Sequence, residues 1–351
     1  MTNTSASSAA GRARHRVRPR KVQNSRLGGL DDEKSESAFW LLSGLCFWIF
    51  LPGSAQAATL NVNCNGSGED QLTTIGTALK LLKPEGPNTI NVSGSCHENV
   101  LIQSFQNLTL NAISGASITD ASGGAGSVVD IEDSTDVTLQ GLTINGGDVG
   151  VFCGDLSVCR FKNNTIQNAT AAPDGVGVWV GRSRATFNGD VVQHNSGQGV
   201  NVANGSTAYG FNIQVNNNGL FGINIVGGSL FFGDVSIQNN GNFGVRVVGH
   251  STLRLFAGTI TGNAGSGVTV RGASEAIIQS FDGPINISNN GGNGVQIHDL
   301  SFAVFLSGAP PPLTIKGNNT TPDVNCFQLS YSAQNATTDI GGGTTNCTEP
   351  L

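Results

Sequence analysis

Two groups of residues in this 351-residue chain have types and spacings suited to chemistry. The first is a row of positions that recur at a nearly constant interval: Asp130, Phe152, Trp179, Asn201, Asn224, Arg246, Thr269 and Gln296. Each lies between two apolar residues, so in an extended segment it points away from the face its neighbours bury. Trp and Phe beside amides and a guanidinium suit a sugar ring, the aromatic packing on it while Asn and Arg bond its hydroxyls. Asp130, Phe152, Trp179, Asn201, Asn224 and Arg246 are therefore the ligand-binding candidates. The competing reading is that a loop from a longer repeat covers Phe152 and Trp179. The second group is acidic: Asp130, Glu132, Asp133 and Asp136, followed by Asp148 and Asp155. Such oxygens suit Ca²⁺, with Asp130, Asp133, Asp148 and Asp155 as candidate ligands, although carboxylates on turns are ordinarily just solvated. Asp148 and Asp174, as neighbours across one repeat, would make the carboxylate pair of glycoside chemistry. One Met and five His are too few soft ligands for copper.

These residues are positioned by a repeat. Gly-(Val/Ile)-x-(Val/Ile) occurs at Gly177, Gly199, Gly222, Gly244, Gly267 and Gly294, in steps of 22, 23, 22, 23 and 27 residues. A degenerate copy begins at Gly150, and Ser127–Ile131 reads as an earlier rung. Asn195, Asn217, Asn239, Asn263, Asn289 and Asn318 keep the same register. Alternation of period 2 marks strands with one buried face, and Gly and Asn interrupt them too often for helices. Three short strands and three turns use about 22 residues, which is one coil of a solenoid stacked at the ~4.8 Å strand spacing. The spacing predicts an all-β, single-stranded, right-handed parallel β-helix of about ten coils, its hand set by the rule for parallel crossovers. The turn asparagines are expected to form a ladder, a structural role rather than a ligand site.

The two ends depart from the repeat. Leu72, Ile75, Leu79 and Leu82 sit at helical spacing within residues 70–82, which predicts a short N-terminal capping helix ended by Pro84 and Gly86. Pro310–Pro312 breaks the period at the other end. Residues 12–21 are basic, residues 38–51 apolar, and Ala55-Gln56-Ala57 resembles a cleavage site, so residues 1–57 read as a basic leader and secretion signal. The apolar run is shorter than the ~20 residues of a spanning helix. The expected regions are thus 1–57 leader, 58–90 N-terminal cap with helix, 91–325 β-helix, and 326–351 C-terminal cap and tail. The leader holds eight of the 18 Lys+Arg and four of the 24 Asp+Glu, leaving 10 basic and 20 acidic residues, a net of −10. That charge repels nucleic acid. Six cysteines remain beyond the leader: Cys64, Cys96, Cys153, Cys159, Cys326 and Cys347. An even number in an exported chain indicates disulfides. Six allow fifteen pairings, of which proximity favours 64–96, 153–159 and 326–347.

The repeat and its Asn-rich turns, over about residues 60–325, resemble the pectin-lyase-like superfamily of right-handed β-helices, especially bacterial parallel β-helix repeat proteins. The resemblance implies fold, not reaction, since its members include lyases, hydrolases, esterases, epimerases and binding proteins. It also implies that functional groups project from the outer face of the Gly-(Val/Ile)-x-(Val/Ile) strands. Cys96-His97-Glu98 looks like the entry to the esterase branch, with Cys96 where that branch has Tyr. The galacturonan hydrolase motifs are missing: Gly147-Asp148-Val149 stands where a second Asp is needed, and Gly197-Gln198-Gly199 where His is needed. A calcium-dependent lyase would draw on the acidic group, with Arg182 or Arg184 one coil later as base.

The sequence therefore points to an exported β-helix, secreted, periplasmic or on the cell surface, that binds a polysaccharide or cell-surface glycan or plays a structural role there. The alternative is a polysaccharide-degrading enzyme, of calcium-dependent pectate or uronate lyase type before glycoside hydrolase. No nucleic-acid partner and no membrane span in the mature chain are expected, and the capped ends favour a monomer.

Overall fold

The computed structural model describes residues 57–68, 71–170, 174–307, 312–327, 330–333 and 340–347. The expected leader lies outside the described residues except for Ala57, as do Pro310 and Pro311. One coil shows the plan. The strand Val176–Gly181 is followed by Arg184–Asn188 and then Val191–Gln193, and the next coil opens with Val200–Ala203. Val178 pairs with Val200, Trp179 with Asn201 and Val180 with Val202, so one repeat of 22 residues is one turn of the solenoid. Among the described residues, repetition of this step builds three parallel sheets: ten strands in the first, which carries the Gly-(Val/Ile)-x-(Val/Ile) segments, twelve in the second and ten in the third. The chain is a parallel β-helix of the predicted class, and the parallel-crossover rule gives the coil its right hand.

The interior is a set of apolar columns. Val178, Val200, Ile223, Val245, Val268 and Val295 stack along the first sheet, each at most 1% exposed. Leu139, Phe161, Phe187, Gly210, Phe232 and Leu255 stack along the second. Gly210 belongs in that column because a Cβ there would lie 2.5 Å from the Phe232 ring. Burial of each such side chain contributes roughly 1.5–3 kcal/mol, available only when coils stack.

Two polar ladders close the corners. Asn195, Asn218, Asn240, Asn263, Asn290 and Asn318 are buried, and each Oδ1 after the first accepts the backbone N–H and the Nδ2–H of the preceding asparagine. The sequence expectation put Asn217, Asn239 and Asn289 in this ladder. They instead form the left-handed corner one residue earlier, with φ of 54°, 53° and 55°. An Asn-Asn pair offers both residues to the turn, and only the second faces inward. The repeat glycine completes the corner: a Cβ on Gly177 would lie 2.6 Å from Asn195 Nδ2 and 2.5 Å from Val192. The shared period of Gly and Asn is thus a packing requirement. A serine ladder lies between the first and second sheets, where the Ser157, Ser183 and Ser206 hydroxyls accept the backbone N–H of the corner serine one coil before. Further along, the Ser251 hydroxyl accepts the Gly228 N–H, and Ser274 and Ser301 accept those of Ser251 and Ser274.

The helix is shorter than predicted, Ile75–Leu81, because Thr74 caps it and Leu72 bridges to Val62 in strand geometry. The strand Ala58–Asn63 adds an edge to the second sheet before the helix begins. Glu98 accepts the N–H groups of Ile75 and Gly76 at 2.7 and 3.0 Å, and Cys96 is bonded to Cys64. The Cys-His-Glu segment that looks like an esterase entry is therefore occupied in holding the cap. At the far end Asp323 receives the last asparagine of the ladder, Asn318, together with Thr344. Burial alone would raise its carboxyl, but these bonds hold it below the usual range. The disulfides are Cys64–Cys96, Cys153–Cys159 and Cys326–Cys347. Three such bonds belong to a protein that matures outside a reducing cytoplasm. Among the described residues no helix is long and apolar enough to cross a membrane.

Candidate functional site

The outward row of the first sheet is continuous: Asp130 pairs with Phe152, Phe152 with Trp179, then Asn201, Asn224, Arg246, Thr269 and Gln296 follow in register. Leu101 precedes Asp130 and Asn325 follows Gln296. The row divides into two stretches with different chemistry.

Its first stretch lines an open groove of roughly 500 Å³, bounded by Asp130, Asp148, Phe152, Asp155, Trp179 and Arg182. Phe152 and Trp179 meet edge to face, centroids 6.0 Å apart at 90°. Local sequence permits this: a Cβ on Gly154 would lie 2.2 Å from the Phe152 ring. Asp148 enters the strand Val149–Cys153, and Asp155 leaves it in a left-handed turn, φ 51°. The Cys153–Cys159 disulfide ties that turn down beneath the groove. Arg182 forms an ion pair with Asp155.

Three atoms in this groove are shielded from solvent and have no hydrogen-bond partner: Asp130 Oδ1, Asp148 Oδ1 and Trp179 Nε1. Unmade bonds of this kind cost about 1–3 kcal/mol each, so their convergence is unusual. Burial, then the charges of Glu132, Asp155 and Asp148, push the Asp130 carboxyl up to about 6. Such costs are characteristic of sites that a ligand completes.

In the second stretch Asn201, Asn224 and Arg246 are bonded in series. Asn224 Nδ2 donates to Asn201 Oδ1 and Gln198 Oε1, each at 3.1 Å, and Arg246 Nη1 donates to Asn224 Oδ1 at 2.9 Å. Asn201 and Asn224 are only 8% and 5% exposed, and the Asn224 amide is engaged at both its oxygen and its nitrogen. Coil stacking brings successive amides within bonding distance, and that outweighs their outward direction. Arg246 packs over Phe221, 5.3 Å from the ring centroid, and burial followed by Arg271 lowers its pKa. The Thr269 hydroxyl is buried without a partner.

The acidic candidates separate likewise. Asp130, Asp148 and Asp155 share the groove, whereas Asp133 sits exposed in a left-handed turn and is absent from its lining. Asp136 is paired with Arg160 at 2.7 Å. Asp174 is exposed and not part of the groove, so the Asp148–Asp174 pair is not assembled there. Arg184 lies on the second sheet over Tyr209, 5.0 Å from its centroid, and cannot serve as a base in the groove. Among the described residues no three carboxylates bring oxygens within 4.8 Å of one another; the one cluster that tight is Cys64, Cys96 and Glu98, whose sulfurs are in a disulfide. Among the described residues the groove therefore holds no preformed set of three carboxylate ligands for Ca²⁺. Sequence reasoning left Asp148, Asp155 and Arg182 unconnected to the aromatic pair, which the structure places in one groove.

No family model and no curated sequence matches the chain. Among solved structures it is similar to the pectin methylesterase PemA from Erwinia chrysanthemi, at 14% identity over 75% of this chain and 93% of that one, TM-score 0.41. It is also similar to the A-module of the mannuronan C-5 epimerase AlgE6 from Azotobacter vinelandii, at 14% identity over 80% and 92%, TM-score 0.41. A family 28 exopolygalacturonase from Yersinia enterocolitica matches at 11% identity over 84% and 77%, TM-score 0.39. At these identities no residue role or reaction passes to this chain.

Proposed function

We propose that this protein is an exported, monomeric carbohydrate-binding β-helix whose glycan site is the Phe152–Trp179 groove. The observation that carries the reading is the convergence of unpartnered Asp130 Oδ1, Asp148 Oδ1 and Trp179 Nε1 beside two aromatic rings. A sugar supplies hydroxyl donors for the carboxylate oxygens, an acceptor for the indole N–H, and an apolar ring face for the aromatics. Secretion, the periplasm or the cell surface suits both the disulfides and such a ligand. The test is titration of the purified protein against a panel of plant and bacterial glycans, alongside Trp179→Ala. Binding that survives Trp179→Ala removes the groove from the site.

A second reading, a polysaccharide-degrading enzyme, is favoured by one observation. Asp130, its carboxyl raised to about 6, stands with Asp148 and Asp155, so it keeps its proton to higher pH than an ordinary aspartate in a groove that holds further carboxylates. A carboxyl raised in this way beside others suits general acid chemistry under mildly acidic conditions. Arg182, engaged by Asp155, is poorly placed to act as a lyase base. Release of new reducing ends or unsaturated product from any polysaccharide, abolished by Asp130→Asn and assayed with and without Ca²⁺, would establish it.

A further inference from the structure

The groove carries an unbalanced charge. Asp130, Asp148 and Asp155 line it and Glu132 adds to the field on Asp130, while Arg182, the cation of its lining, is already engaged by Asp155. The two unpartnered carboxylate oxygens need donors, and the faces beside them belong to Phe152 and Trp179. A uronate or other acidic sugar brings further negative charge and more acceptors, which worsens both deficits. A neutral sugar supplies donors but leaves the charge. A protonated primary amine supplies three N–H donors and a positive charge, and is attracted by the aromatic faces as well.

We infer that the groove selects a glycan bearing a free amine, a de-N-acetylated hexosamine unit whose ammonium group sits between Asp130 and Asp148 against Phe152 and Trp179. This rests on the groove being a glycan site, and it names the class of sugar. The remaining polar atom, Trp179 Nε1, then has a sugar hydroxyl or ring oxygen to bond. Ionic pairing in a groove open to solvent is screened by salt, so the affinity falls as salt rises.

The experiment is calorimetric titration of the full chain at pH 6.5 with three tetrasaccharides: glucosamine, N-acetylglucosamine and galacturonate, the last also with Ca²⁺. The expected result is that the glucosamine tetramer binds at least tenfold more tightly than either of the others. Asp148→Asn should remove that preference, and Asp133→Asn, outside the groove, should leave it intact. Circular dichroism and a melting curve for each variant separate lost binding from lost folding. Equal or tighter binding of the acetylated tetramer overturns the amine inference and leaves the glycan site standing. Tighter binding of galacturonate with Ca²⁺ overturns it in favour of a cation bridge. Absence of binding by any of the three, and by a wider glycan panel, overturns both.

Discussion

Replacing Asp130 by Asn should make the folded protein more stable at neutral pH and not at acid pH. Its carboxyl is raised from 3.8 to about 6, first by burial and then by Glu132, Asp155 and Asp148. At 1.36 kcal/mol per pKa unit the ionised group would cost the fold roughly 3 kcal/mol. Asp130 is only partly buried, and solvent screening reduces this to about 1–2 kcal/mol. The sign follows from proton binding: between 3.8 and about 6 the folded state holds the proton more tightly. The stability this contributes is complete below 3.8 and is lost as pH rises through 6. Asparagine keeps the shape and removes the charge. Urea denaturation of wild type and Asp130→Asn at pH 4.5, 6 and 7.5 measures the effect. The variant should gain about 1–2 kcal/mol at pH 7.5, with the gain shrinking to a fraction of that by pH 4.5. A gain that ignores pH, or a loss at pH 7.5, would refute the assignment of unfavourable charge to the groove. Asp190 is buried and also raised to about 6, so the variant keeps part of the wild-type pH dependence.

Other perturbations test the frame. Asn240→Ala removes an acceptor for the Asn218 N–H and Nδ2–H and a donor to Val215 and Asn263, so it should cost about 3–5 kcal/mol by chemical denaturation. Asn239→Gly, at the exposed left-handed corner one residue before, should be nearly neutral in the same assay. Loss of the Cys153–Cys159 bridge in a double Ala variant should cost about 2 kcal/mol and speed amide hydrogen exchange around Asp155. Phe232→Ala opens a hole in the second-sheet column and should lower stability by about 3–5 kcal/mol.

The parallel coil was legible because period-2 alternation and a 22-residue step are both properties of sequence, and one fixes which side chains point out while the other fixes which stack. That is why the row from Asp130 to Gln296 could be written down with its register. What the row would do was less legible. Asn201 and Asn224 point outward yet bond each other, since coil stacking sets neighbouring amides close together. The ladder slipped by one at Asn217, Asn239 and Asn289 because Asn suits the left-handed corner as well as the inward position. The serine ladder went unseen, since Ser is common and its copies are separated from the Gly-Val motif by variable residues. Asp148, Asp155 and Arg182 reach the groove from corners, where chain direction depends on backbone dihedrals that alternation does not encode.

The chain has three tryptophans, and Trp40 and Trp48 fall in the segment read as leader, so a full-length Trp40→Phe/Trp48→Phe form leaves Trp179 alone in the groove. Its fluorescence, followed while glycans are added, tests the central claim most directly. A carbohydrate site in this groove predicts a saturable emission change with one glycan class, with the same affinity measured by calorimetry. Calorimetric binding of a glycan with unchanged Trp179 emission, or no binding of any glycan by the folded protein, would contradict it.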